Sequence, residues 1–127
     1  MNTPVSFELA KLLKEKGFDE PCRVYIVSMS ARFYGRGLTT NSELSKEGLP
    51  MLCSAPTIAE IVMWLYEKHG IWVTISMENN EEDVVSFYYT ILHNDKDEVT
   101  FKKRMSDYNS PTEAYSEAIE YTLKNLI

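Results

Sequence analysis

Between Ile71 and His93 the chain alternates, and that alternation limits its folds more than any other feature. Ile71, Val73, Ile75 and Met77 are interleaved with Trp72, Thr74 and Ser76. After a short break, Val85, Phe87, Tyr89 and Ile91 are interleaved with Ser86, Tyr88 and Thr90. Successive side chains of a strand point to opposite faces, so this pattern predicts strands over 71–77 and 84–93. The break holds Glu78, Glu81, Glu82 and Asp83, which suits a solvated hairpin tip. Asn94, Asp95, Lys96 and Asp97 read as a second turn, and 99–103 as a further strand. Three strands joined by short polar turns imply an antiparallel meander. Such a sheet has an apolar face that something must cover.

The cover is available as helices. Residues 4–16 carry Val5, Leu9, Leu12 and Leu13 at helical spacing, with Thr3 as cap and Pro4 at the first helical position. Gly17 supplies a left-handed stop, after which Phe18 can fold back on the last turn. Residues 55–69 carry Ile58, Ile61, Val62 and Leu65 at the i, i+3, i+4, i+7 positions of a buried stripe. Ser54 can cap this helix, or Thr57 and Glu60 can form a capping box. Met63, Trp64 and Tyr66 widen its apolar surface, which predicts cover on more than one side. Gly70 ends it. Residues 111–126 open on Ser110-Pro111-Thr112-Glu113, a full capping box, and bury Tyr115, Ala118, Ile119, Thr122, Leu123 and Leu126.

The remainder is one strand at 22–29, rich in Val24, Tyr25, Ile26 and Val27, and a polar, glycine-containing stretch at 30–49. Short strands at 32–34 and 50–53 would turn that stretch into a long hairpin. A structureless loop near twenty residues is unusual in a compact domain, so the stretch is a partly ordered excursion or the functional element. The order is α-β-(ββ)-α-β-β-β-α. It predicts a single α+β domain over 1–127, with three helices packed on a mainly antiparallel sheet.

Composition removes several function classes. The chain has 127 residues, 13 basic against 19 acidic side chains and a net charge of −6. That is too acidic for a general nucleic-acid binder and too apolar, at 44 %, for disorder. No apolar run can cross a bilayer, and Glu8, Lys11 and Lys14 break any signal-peptide core. The reading is a cytoplasmic protein with no membrane partner. Cys22 and Cys53 each lie in an apolar stretch and read as reduced, buried thiols.

The stretches Ser54-Ala-Pro-Thr-Ile-Ala-Glu-Ile-Val-Met-Trp-Leu-Tyr-Glu-Lys-His-Gly-Ile, Phe87-Tyr-Tyr-Thr-Ile and Pro111-Thr-Glu-Ala-Tyr-Ser-Glu-Ala-Ile-Glu-Tyr-Thr-Leu are distinctive. So is the opening Thr3-Pro-Val-Ser-Phe-Glu-Leu-Ala-Lys-Leu-Leu-Lys-Glu-Lys-Gly-Phe. Together the set resembles small uncharacterised proteins of gut Bacteroidales genomes, often found among prophage and integrated-element genes. The resemblance covers most of the chain outside 30–49. It rests on caps and core positions, so it implies a context, an accessory protein of a phage or mobile element, and no catalytic residue.

Candidate chemistry is sparse. Cys22, Cys53, His69 and His93 lack the C-x₂-C or H-x₃₋₅-H spacing that preorganises zinc, so no metal or other cofactor is expected. Nothing marks a strained nucleophile elbow or an oxyanion loop, so no catalytic residue is assigned and a non-enzyme is favoured. Arg32-Phe33-Tyr34-Gly35-Arg36-Gly37 interleaves cations, aromatics and glycines, as a phosphate- or base-contacting hairpin does, but it also fits an ordinary glycine turn. Trp72, Tyr88 and Tyr25 fall on the second face of the expected sheet, where exposed aromatics would mark an interface. The expectation is therefore an interaction module that binds a protein partner or itself as a homodimer. Trp72, Tyr88 and Tyr25 form its contact face, with Arg32, Tyr34 and Arg36 at the rim. A nucleic-acid-associated regulator using Arg32, Arg36 and 102–104 is the alternative. A small ligand-binding enzyme with a titratable pair in a pocket is a third reading.

Overall fold

The computed structural model describes residues 4–28, 31–46, 53–79 and 81–127, with the side chains of 27, 28 and 31–36 left undescribed. It is an α+β protein with four helices and two three-stranded antiparallel sheets. Its elements are α1 (Phe7–Glu15), β1 (Cys22–Ser28), β2 (Ala31–Thr39), α2 (Asn41–Lys46), β3 (Cys53–Ser54), α3 (Ile58–His69), β4 (Ile71–Asn79), β5 (Val85–Asp95), β6 (Glu98–Tyr108) and α4 (Pro111–Asn125). The order is the one read from the sequence, with α2 added inside 30–49. The chain divides into two compact units, one up to Thr57 and one from Ile58. The strands accordingly form two sheets where one was expected.

In the first unit the sheet order is β2-β1-β3. The helix expected from Pro4 starts later. The Val5 N–H donates to the Pro56 carbonyl at 3.0 Å, and Pro4 bridges to Thr57, so the backbone there is extended. Ser6 is the cap instead, its hydroxyl accepting from the Leu9 N–H at 3.3 Å. Thr3 lies outside the described residues. The helix ends as expected. Gly17 has φ +90, its N–H donates to the Lys14 carbonyl, and Phe18 N–H donates to the Leu13 carbonyl at 2.9 Å. This double closure is a Schellman motif, and it leaves Phe18 fully buried.

The expected hairpin between 32–34 and 50–53 is not formed. β1 sits between β2 and β3, with Tyr25 paired to Phe33 on one side and to Ser54 on the other. β1 is apolar enough to be a central strand, and it takes both neighbours. Between the pairs Cys22–Thr39 and Val24–Tyr34 the register slips by three residues, across the stretch holding Gly35 and Gly37. The stretch 40–46 then supplies α2. Thr40 caps it, its hydroxyl accepting from the Glu43 N–H at 3.1 Å and donating to the Glu43 carboxylate at 3.3 Å. Buried Asn41 donates to the Phe18 carbonyl at 2.7 Å and accepts from the Ser54 N–H at 2.9 Å. It thereby ties α2 to the loop after α1 and to β3.

The second unit is the predicted meander, β4-β5-β6, with α3 and α4. α3 starts at Ile58, directly after Thr57, so of the two proposed caps only the Thr57 position matches; Ser54 is buried in β3. Ser110 caps α4, accepting from the Glu113 N–H at 3.1 Å, with Pro111 at its first position. Val73 pairs with Ile91 and Ile75 with Tyr89, and α4 lies across β4, β5 and β6. The buried set Ile71, Val73, Tyr89 and Ile91 faces Ala114, Ala118, Ile119 and Leu123. Burying an aliphatic side chain the size of Val, Ile or Leu contributes about 1.5–3 kcal/mol, so this layer and the buried Ile61, Val62 and Leu65 of α3 hold the unit together. β6 runs well past the expected 99–103 and carries two register slips, between Phe87 and Tyr89 and between Ile91 and Leu92 of its partner strand.

Candidate functional site

In register, Trp72 pairs with Leu92, and Leu92 pairs with Phe101. Antiparallel partners share a face, so these three form one row across all three strands of the second unit. Their face is opposite to that of Val73, Tyr89 and Ile91. Trp72 is 38 % exposed and Phe101 60 %. Tyr66 of α3 meets Trp72 edge-on, with ring centroids 5.4 Å apart, and is itself 41 % exposed. Met63, one turn earlier on α3, is also exposed. The expectation that α3 would be covered on more than one side therefore fails at Met63 and Tyr66, while Trp64 is buried. Tyr66 and Met63 continue the row of Trp72 as an apolar ridge.

Tyr88 shares this face four positions along β4 from Trp72, opposite Ser76. It is half-buried, because the Arg104 guanidinium lies over its ring at 4.2 Å. The same guanidinium donates to Glu78 at 3.1 Å. Arg104 is thus held twice within the unit. Lys103, on the helix-covered face, lies over the Tyr121 ring of α4 at 5.3 Å. Two of the three cations at 102–104 are engaged internally, which removes most of the phosphate-contacting run that the nucleic-acid reading needs.

The other expected site residues belong to the first unit. Tyr25 is half-buried in β1, in the other sheet from Trp72 and Tyr88. Arg32 pairs with Ile26 and Tyr34 with Val24 at the backbone, and Arg36 falls in the three-residue slip. The side chains of Arg32, Tyr34 and Arg36 lie outside the described set. Phe101 was missed in the sequence because its place in the row depends on the slip in β6, which no local pattern announces; Leu92 continues the Ser86, Tyr88, Thr90 alternation and was legible. Tyr66 and Met63 were legible as excess apolar surface on α3, but the wrong outcome was drawn from it.

Cys22 and Cys53 are free and buried in the first unit. Burial pushes the Cys53 thiol up, with Lys14 and Lys11 opposing weakly, so it stays protonated and poorly nucleophilic. The two histidines are in the second unit, and both line one cleft of about 510 Å³ with Ile71 and Lys102. Tyr89 is pushed up to about 12, chiefly by burial and then by Tyr108, Tyr121 and Glu117. Its hydroxyl is hydrogen-bonded to Tyr108, whose ring stacks on it at 5.8 Å. Tyr89 is a neutral core group. Among the described residues, no three His, Cys, Asp or Glu side chains cluster as metal ligands, and no helix is long and apolar enough to cross a membrane.

The geometry of this surface defines an α+β domain with an apolar ridge on one sheet face. Comparison with family models, curated proteins and solved structures returned no match.

Proposed function

We propose that the chain is a non-enzymatic interaction module that associates with a second copy of itself through the Trp72–Leu92–Phe101 row and its Tyr66–Met63 extension. The observation that carries this is the row itself: large apolar side chains in register across three strands and continuous with a helix, with Trp72, Phe101, Tyr66 and Met63 exposed and Leu92 half-buried between them. Contiguous patches of this kind cost free energy unless covered, and at interfaces aromatics and Met are the enriched residues. A second copy fits the ridge because a two-fold arrangement sets this apolar row against the same row of the other copy, and the Arg104–Glu78 pair stays within each unit. The resemblance to phage and mobile-element proteins supports an accessory role for such a module.

The test is sedimentation of the intact protein beside Trp72→Ala/Phe101→Ala. The wild type is expected to form a dimer, and the double variant a folded monomer with at least a tenfold weaker association, about 1.4 kcal/mol. Added salt should leave the wild-type dimer intact, whereas phosphate binding weakens steeply with salt. A wild-type monomer at all concentrations, or an unchanged dimer in the variant, refutes the reading.

A further inference from the structure

The β4–β5 hairpin runs past the helix that covers it. α4 begins just after Tyr108, which pairs with Phe87, and its end lies beside Ile71 and His93 at the far end of the sheet. α4 therefore covers the sheet from Phe87 back to Ile71 and leaves the hairpin beyond Phe87 bare. Burial on that face falls off in step. Along β5, Ile91 and Tyr89 are buried, Phe87 is half-buried and Val85 is 53 % exposed. Along β4, Val73 is buried, Ile75 is half-buried and Met77 is 67 % exposed. Met77 pairs with Phe87 and Asn79 with Val85, so Met77, Phe87 and Val85 share one apolar ledge. It lies on the face opposite the Trp72–Leu92–Phe101 row, so it is separate from the self-association surface.

Acidic groups bracket the ledge. Glu81, Glu82 and Asp83 stand exposed at its outer end. At its inner end the Tyr108 hydroxyl is pushed up, first by burial and then by Glu117, which puts the exposed Glu117 carboxylate near the Met77–Phe87–Tyr108 row. Arg104 lies on the opposite face, bound to Glu78, and Lys103 lies further along the sheet, paired with Ile91 and over the Tyr121 ring. From Ile58 onward the chain carries 13 acidic against 6 basic side chains. That balance disfavours a second copy, a nucleic acid or an anionic lipid surface on this ledge, and favours a cationic occupant. From Asp83 to Phe87 an extended chain rises about 14 Å, the length of about two and a half turns of helix.

We propose that the ledge docks a basic amphipathic helix of a partner protein. Two apolar anchors of that helix, one turn apart, lie on Met77 and on Val85 and Phe87. Lys or Arg side chains on its flanks meet Glu81, Asp83 and Glu117. Met supplies an adaptable apolar contact, and the carboxylates select the sign of the partner's charge, as in grooves that take basic amphipathic helices. The exposed charges make this association weaken with added salt, in contrast to the ridge.

The test titrates the intact nitrogen-15 protein with an acetylated, amidated Leu/Lys peptide of about ten residues, its leucines at i, i+3, i+4 and i+7. A scrambled peptide of the same composition and the matching Leu/Glu peptide are separate probes. The Leu/Lys peptide is expected to give saturable amide shifts at Met77, Val85, Phe87 and Glu117. The scrambled peptide should bind about tenfold more weakly, and the Leu/Glu peptide should give no shift. Met77→Thr/Val85→Thr, at exposed strand positions that Thr suits, should keep the spectrum of the folded protein and lose about tenfold in affinity. Glu81→Gln/Asp83→Asn should weaken binding and flatten its salt dependence, and Asn tolerates the φ of +58 at that position. Glu98→Gln, at the other end of the sheet, should leave the affinity unchanged. No saturable shift with the Leu/Lys peptide, an equal affinity for the scrambled or Leu/Glu peptide, shifts centred on Trp72 and Phe101 instead, or an unchanged affinity in Met77→Thr/Val85→Thr would each overturn the assignment.

Discussion

Gly70 shows how much a single residue decides. It closes α3, starts β4 and receives the Asn94 N–H, all in a left-handed conformation. A Cβ placed there would stand 2.6 Å from the Asn94 carbonyl oxygen, a backbone atom that cannot move aside cheaply. Gly17 has the same type of φ but nothing within 4 Å. Left-handed backbone costs a non-glycine residue about 1–2 kcal/mol. Gly17→Ala should therefore lose about 1 kcal/mol, and Gly70→Ala at least twice that, because the clash adds to the strain. Denaturant midpoints for the two variants check this; equal losses would mean that the Gly70–Asn94 approach is not tight. Both glycines were legible as helix stops. The close approach at Gly70 was not, since it depends on where β5 ends.

At the scale of elements, caps and periodicity were the legible part. Ser110-Pro111-Thr112-Glu113 and the alternation of β4 and β5 gave the right elements, because each signal is local. α2 was missed although Thr40-Asn41-Ser42-Glu43 has the capping-box sequence pattern and Thr40 does cap the helix. Six residues are too short to show an apolar stripe, so only the cap announced it. The start of α1 was misjudged because Pro4 is engaged with Thr57, 53 positions away in sequence. The cap and the clamp of α2 should separate by mutation. Thr40→Ala removes an exposed cap and should cost about 1 kcal/mol. Asn41→Ala removes two buried hydrogen bonds together, the one to the Phe18 carbonyl and the one from the Ser54 N–H, and should cost about 2–4 kcal/mol. Thermal denaturation of both variants measures the difference, and a smaller loss for Asn41→Ala would show that α2 does not anchor β3. The run at 102–104 illustrates the limits of reading charge by element. In sequence it suggests a phosphate patch. In the fold it lies on an edge strand, where cations and bulges also discourage pairing with foreign strands. Each of its members faces something different: Tyr88 and Glu78, Tyr121, or the histidine cleft.

For the molecule as a whole, the −6 net charge and the 44 % apolar content matter less than where each is placed. The apolar ridge, the histidine cleft, and all of the cation–π and aromatic contacts that shape them lie beyond Thr57. The division into two units was not legible, because helix and strand signals run without a linker from Thr57 into Ile58 and carry no record of which strands will share a sheet. The two units being contiguous in sequence makes a direct experiment available. The fragment 58–127 contains every strand partner of β4, β5 and β6 and both helices that cover them. Its sheet has three strands and a buried face, which is the minimum for independent stability. It buries a smaller fraction of its surface than the whole chain does, so it should be less stable. The fragment is expected to unfold cooperatively in denaturant, with a lower midpoint than the intact protein, and to keep the amide shifts of His69, Gly70, His93 and Lys102. It should also retain self-association, lost again in Trp72→Ala/Phe101→Ala. A fragment that folds but does not associate would move the interface to residues before Ile58, where Tyr25, Arg32, Tyr34 and Arg36 are placed. A fragment without a cooperative transition would show that the second unit's own core is insufficient.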